Sequence, residues 1–325
     1  MSASTLDHIR QTRTLRCGIN QETPEYSTSD DHGARQAFDT DICKAVAIAI
    51  LGPNARSLLV PYPDDVASMA ALISGKVDLL PTLTLDFHHS AVAGITFSPP
   101  VLYDGVGFLV PTAADVTHAA DLTDKKICFL AETEVEVALR AWFTRQNLKF
   151  LPFPFQEEGE MQAAFVTGNC TALAGDRTRL ASTRVGFGPL AARYALLPDQ
   201  ISRDPLAAAS RSSDPAFANI VRWVIEALLN AEAAGFTQAS ATTWTAQNAA
   251  ASADNPTIQI LTGQTREIGS RLGLDNAWAI HVLAAAGNFG ELYDRDLGGQ
   301  SPLQLPRDLN RLDTQGGLIV PLPLK

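Results

Sequence analysis

The side chains in this chain that could carry chemistry fall into a few groups. Thr82, Leu83 and Thr84 close a short apolar run and are followed by the adjacent pair His88 and His89. Farther along stand Glu132, Thr133 and Glu134, and a single Asp176 ends the run CTALAGD. Asn20, Glu22 and Glu25 follow the first apolar run, and Asp65 follows the second. A histidine facing a carboxylate is an acid–base pair, so His89 with Glu132 or Glu134 would move a proton. Histidines with glutamates are also metal-ligand types, but adjacent histidines on a strand point to opposite faces, which argues against one shared ion. Structural roles compete with these. Asp176 is placed to N-cap the helix RTRLAS, and Thr133 with Glu136 has the spacing of a capping box. There is no Gly-x-Ser-x-Gly elbow and no Gly-rich phosphate loop.

The elements that position these groups alternate between strand and helix, which predicts parallel sheets in an α/β architecture. LRCGIN, SLLVPY and DLLPTL read as strands. Between them, FDTDICKAVAIAILG reads as a helix with Asp39 or Thr40 as N-cap and Gly52 as its stop, and PDDVASMAALISGKVD as another ending near Gly75. ITFSPPVLYDGVGFLVP leads into a longer strand. The pattern then restarts with strand KKICFLA, helix TEVEVALRAWFTRQNL, strand LKFLPFPF, helix EEGEMQAAFVTGN, strand CTALAGD and helix RTRLASTRVG. DPLAAASR is expected to be a return strand, followed by a long amphipathic helix, DPAFANIVRWVIEALLNAEAAG. A βαβαβ unit therefore occurs twice. The expected division is a discontinuous first lobe, 1–111 and 206–325, around a second lobe, 112–205, joined by a two-strand hinge. The tail after about Gly235 is expected to cap the first lobe.

Composition narrows the class. The 325 residues are 46 % hydrophobic and 18 % charged, with a formal net charge of −10. An acidic chain without a basic block gives no support for nucleic-acid or anionic-membrane binding. No apolar run approaches the ~20 residues needed to cross a bilayer. The first residues lack a signal peptide's apolar stretch, so the chain is either cytosolic or a mature form behind an added Met.

Four cysteines, Cys17, Cys43, Cys128 and Cys170, allow three pairings. They fall as one pair per lobe, so the expectation is Cys17–Cys43 and Cys128–Cys170, which implies an oxidising compartment. Four buried free thiols is the alternative. No Cys-x-x-Cys is present, which disfavours a zinc ribbon or a thioredoxin-like site.

The segments LRCGIN, FDTDICKAVAIAILG, SGKVDLL, TFSPPVLYDGVGFLV, KKICFL and GNCTALAGDRTRLAS occur in that order. With DPLAAASR, IVRWVIEALLNAE and the ending GNFGELYDRDLGGQSPLQLPRDLN…GGLIVPLP, they cover nearly the whole chain. In this order and spacing the chain resembles the periplasmic solute-binding proteins of polar and general L-amino-acid ABC importers, with the type II periplasmic-binding-protein fold. The four cysteines and the long tail also look like that subfamily. The resemblance implies a monomeric, non-enzymatic protein without a cofactor that closes on its ligand and hands it to a permease. A sensory module docking on a receptor, or an enzyme of the cyclohexadienyl-dehydratase type, is the alternative on the same fold.

The resemblance also assigns roles. Asp176 matches the aspartate that holds a ligand ammonium, Thr84 the hydroxyl beside it, and Thr82 the residue that supplies a carbonyl. Leu83 lies between them. At the carboxylate end this chain departs from the family. His89, or His88 if the register slips by one, stands where the family has an arginine. Glu132 and Glu134 flank Thr133 at the helix end that normally receives the carboxylate. With Glu22, Glu25 and Asp65, the cleft is expected to be unusually acidic, and Asn20 is expected to line it. The ligand is then a basic amino acid, an amine or a blocked derivative. A second version keeps an ordinary amino acid, lets protonated His89 replace the arginine, and expects affinity to fall as pH rises.

Overall fold

The structure is a computed structural model, which describes residues 4–20, 37–245, 254–265 and 267–324. Glu22 and Glu25 lie outside the described residues. The chain divides into two compact units: unit 1 is Met1–Leu102, Pro205–Ser301 and Pro306–Lys325, and unit 2 is Tyr103–Asp204 with Pro302–Leu305.

Unit 1 is built on strands β1 (Thr14–Asn20), β2 (Arg56–Tyr62), β3 (Leu79–Thr84), β4 (Ile95–Asp104) and β10 (Asp204–Arg211), in the order β2-β1-β3-β10-β4. β1 runs parallel to β2 and β3, and β10 runs antiparallel to β3. Helices α2 (Phe38–Leu51), α3 (Asp65–Ile73) and α8 (Pro215–Ala233) belong to the same unit. α8 buries Phe217, Ile220, Val221, Val224, Ile225, Leu228 and Leu229, the three- and four-residue spacing of one helix face. Gly18 lets β1 approach β3, because a Cβ there would lie 2.6 Å from Leu80 Cδ2.

Unit 2 repeats the plan with β5 (Val106–Pro111), β6 (Lys126–Leu130), β7 (Leu151–Phe155), β8 (Ala172–Asp176) and β9 (Tyr194–Leu196), in the order β7-β6-β8-β5-β9. β6 is parallel to β7 and β8, while β5 is antiparallel to β8 and β9. Its helices are α5 (Glu134–Arg145), α6 (Glu158–Val166) and α7 (Arg177–Gly186). Both sheets are thus mixed: three parallel strands from a βαβαβ run, with β10 or β5 antiparallel beside the third. The three-residue β9 was not anticipated, being too short to show an alternating pattern.

Both expected disulfides are present, Cys17–Cys43 and Cys128–Cys170. The first fastens β1 to α2. The second joins β6 to the residues just before β8. At the amino end of β3, buried Asp78 accepts from Arg16 Nε at 3.0 Å and Nη2 at 2.7 Å, with Arg211 Nη2 at 3.3 Å. One carboxylate therefore ties together residues of β1, β10 and the approach to β3.

Three local expectations are corrected. The N-cap of α2 is Ala37, not Asp39 or Thr40. Asp39 lies in the first turn, is 2 % exposed and accepts a hydrogen bond from Thr82 Oγ1 at 2.6 Å. The histidine pair sits on a one-turn helix, α4 (Phe87–Ser90), not on a strand, and the two rings meet edge to face. Thr133 is the N-cap of α5 but makes no capping bond, and its hydroxyl donates to the Leu130 carbonyl at 2.8 Å. Glu136 instead accepts the Glu132 N–H at 3.0 Å and holds Arg140 at 2.8 and 2.7 Å.

In the tail, helices Trp278–Ala286 and Phe289–Asp296 pack on α2 and α8 of unit 1. The short stretch Pro302–Leu305 groups with unit 2. Among the described residues no helix is long and apolar enough to cross a membrane.

Candidate functional site

Parallel strands place their carboxyl ends along one edge of a sheet, and the loops leaving that edge are where open α/β sheets hold ligands. In unit 1 this edge carries Asn20 at the end of β1, Asp65 just after β2 and Thr84 at the end of β3. In unit 2 it carries Thr133 after β6 and Asp176 at the end of β8.

The unit 1 edge contains a chain of polar contacts. Asn20 Nδ2 donates to Asp65 Oδ1 at 2.7 Å, and Asp65 Oδ2 lies 3.9 Å from His89 Nε2. On the other side, His89 Nδ1 lies 2.9 Å from Asp86 Oδ1, and the same oxygen accepts the His89 backbone N–H at 2.7 Å. Asp86 is the N-cap of α4, which fixes that geometry. The imidazole is therefore bracketed by two carboxylates. Burial pushes the Asp65 carboxyl above its ordinary range, against the opposing pull of Asn20 and His89. Burial would raise Asp86 as well, but the backbone N–H, ring and charge of His89 together hold it below the ordinary range.

Thr82, Leu83 and Thr84 divide their roles. The Thr82 hydroxyl is committed to Asp39. The Leu83 side chain is 2 % exposed and packs in the core with Met69, Leu72 and Leu80, so only its backbone can face a ligand. The half-buried Thr84 hydroxyl makes no hydrogen bond among the described residues.

In unit 2, Asp176 occupies the N-cap position of α7, yet its side chain makes no capping bond. Its side chain is half-buried. Glu132 and Glu134 are exposed. Glu132 has φ +61°, a left-handed backbone that suits glycine.

Asp39 and Asp86 were missed as site residues. Asp86 had a readable signal, since an aspartate three residues before His89 matches N-cap spacing. Asp39 was legible only as a cap candidate. Among the described residues no group of three or more His, Cys, Asp or Glu is arranged to hold a metal ion. The acid–base pairing expected of His89 meets different partners: its ring nitrogens face Asp86 and Asp65 of unit 1, whereas Glu132 and Glu134 belong to unit 2.

Two mixed α/β sheets, each with polar side chains gathered at the carboxyl ends of its parallel strands, define the class of two-lobed solute-binding proteins. No protein-family model matches the chain. It is 35 % identical over its whole length to the glutamate/glutamine/aspartate/asparagine-binding protein BztA of Rhodobacter capsulatus, 94 % of which is covered. It is 33 % identical, again over its whole length, to the general L-amino acid-binding periplasmic protein AapJ of Rhizobium johnstonii, with 94 % of that protein covered. An ABC transporter periplasmic binding protein from Brucella ovis, solved with glutathione bound, superposes with a TM-score of 0.82 at 32 % identity. That match covers 99 % of this chain and 100 % of the other. The chain belongs to the family of amino-acid ABC transporter-binding proteins. These curated relatives are binding proteins, not enzymes.

Proposed function

We propose that this protein is the extracytoplasmic solute-binding component of an ABC importer, working as a monomer that delivers its ligand to the membrane permease. The ligand is an amino acid or amine whose ammonium pairs with Asp176. It is more cationic than a neutral amino acid, or lacks a free α-carboxylate. The relatives support the transport role, since their names give amino acids and, for the Brucella ovis protein, glutathione as ligands. The two disulfides support an oxidising compartment.

The observation that carries the ligand reading is the bracketing of His89 by Asp65 and Asp86. An arginine would offer a fixed charge and a two-pronged donor to a carboxylate. A single imidazole between two carboxylates offsets at most one of them and has its Nδ1 engaged by Asp86. Bringing a ligand carboxylate there adds a like charge in a half-buried place, whereas a ligand cation gains partners. Exposed Glu132 and Glu134 beside the α5 N-terminus act in the same sense, because they compete for the site a ligand carboxylate would take.

Titration calorimetry with L-arginine, putrescine, L-glutamine amide, L-glutamate and glutathione tests this. L-Arginine or an uncharged-carboxyl derivative is expected to bind tightest. Tightest binding of L-glutamate or glutathione would overturn the cationic reading and leave the solute-binding role intact.

A further inference from the structure

Asp104 and Thr178 are polar yet 7 % and 5 % exposed, and they meet inside unit 2. Asp104 ends β4 and Thr178 is the second residue of α7. The Thr178 hydroxyl donates to Asp104 Oδ2, and the other carboxylate oxygen accepts the Gly105 N–H at 2.8 Å. Around this contact the backbone is knitted to a second segment. Gln200 Nε2 donates to the Asp104 carbonyl at 2.6 Å, and the Val106 N–H donates to Ser202 Oγ at 2.8 Å. Ser202 in turn donates to Asp204 Oδ2 at 2.7 Å. Backbone bonds of 2.8 Å from Ile201 to Val106 and 3.0 Å from Arg177 to Gly105 complete the junction. Gly105 is required by the close approach: with φ +156°, a Cβ there would lie 2.5 Å from the Ser202 carbonyl oxygen.

These residues stand at two of the places where the chain passes between units, Leu102 to Tyr103 and Asp204 to Pro205. They also hold the first turn of α7, whose N-cap is Asp176. Arg177, 5 % exposed, adds bonds from Nη1 to the carbonyls of Leu197 at 2.9 Å and Pro198 at 3.3 Å. Sliding the α7 turn away from the crossings would leave a buried carboxylate short of a donor, a penalty that keeps the pieces together.

We propose that the buried Thr178–Asp104 hydrogen bond is a positioning contact that makes the Asp176 turn move as one piece with these two crossing segments. Capture of a ligand ammonium at Asp176 is then transmitted directly to the joints between the units. This rests on the reading of Asp176 as the ammonium partner. Thr178 and Asp104 are positioning residues and need not touch the ligand themselves.

The test is amide hydrogen exchange on the full chain, comparing wild type with Thr178→Val and Thr178→Ser. Thr178→Val is expected to speed exchange about tenfold at Gly105, Val106, Arg177 and Ile201 together, the scale of one lost charge-assisted bond. The β6 amides are expected to stay unchanged, and Thr178→Ser, which keeps the hydroxyl, to restore wild-type rates. Acceleration confined to residues 177–178, or spread evenly through unit 2, overturns the coupling. Asp104→Asn provides a second variant with the same expected pattern should Thr178→Val fold poorly. L-Arginine binding by Asp176→Ala, read by calorimetry, separates the two ideas. An unchanged affinity there overturns the ligand reading beneath the proposal, whereas an unchanged exchange pattern in Thr178→Val overturns the coupling itself.

Discussion

One carboxylate oxygen of Asp86 receives both the backbone N–H of His89, at 2.7 Å, and its Nδ1, at 2.9 Å. The histidine is thus held by its own helix cap. Its orientation is set by α4, leaving Nε2 directed at Asp65.

Asp86→Asn tests how far that charge tunes ligand choice. The amide keeps an N-cap acceptor, so stability is expected to change by less than about 1 kcal/mol. With one carboxylate removed, the ratio of L-glutamate to L-arginine affinity is expected to rise by about tenfold, measured by competitive calorimetry. An unchanged ratio would show that this cluster does not sense ligand charge.

A second carboxylate pair links the tail to α2. Arg295 clasps Asp41, with Nε at 3.1 Å, and lies 3.4 Å from Asp296 Oδ1. Burial first, and the neighbouring Asp41 second, raise the Asp296 carboxyl to about 7 from its ordinary 3.8. A carboxyl raised in the folded state holds its proton more tightly there than in the unfolded chain. Its contribution is therefore fully present below about pH 3.8 and is lost as pH rises through about 7. Over that window the loss is on the order of 4 kcal/mol at most. Urea unfolding of wild type and Asp296→Asn between pH 4.5 and 7.5 is expected to show a falling difference curve. Parallel curves would refute it.

The disulfides close loops with sequence separations of 26 and 42 residues. Loop-closure entropy gives about 3.5 and 4 kcal/mol for these lengths. The double variant Cys128→Ser/Cys170→Ser is expected to lose somewhat more stability than Cys17→Ser/Cys43→Ser. Guanidinium unfolding midpoints without reductant would rank them, and the reverse order would mean that loop length does not govern the difference.

Glu132 holds a left-handed φ of +61° on an exposed turn. Glu132→Gly is expected to stabilise the fold by about 0.5–1 kcal/mol, the strain relieved less the greater entropy of glycine when unfolded. The same change removes one acid from the α5 N-terminus and is expected to strengthen binding of carboxylate ligands. Thermal melts with and without L-glutamate check both, and a lower melting point would contradict the strain argument.

The sequence by itself determined the architecture. RTRLASTRVG became α7 and DPLAAASR became β10 with the bounds that turn residues and periodicity indicate. Both cysteine pairs were legible too, because they depend on which element a residue joins and on motif order. Tertiary structure alone decided how the polar side chains pair. It gave Thr82 to Asp39, Glu136 to the Glu132 N–H, and His89 to Asp86 and Asp65. It also brought Arg295 to Asp41 from the far end of the chain. Strand and helix are written in local periodicity, which a sequence displays directly. Hydrogen bonds are written in side-chain direction and helix phase across packed elements, which a shift of one residue reverses.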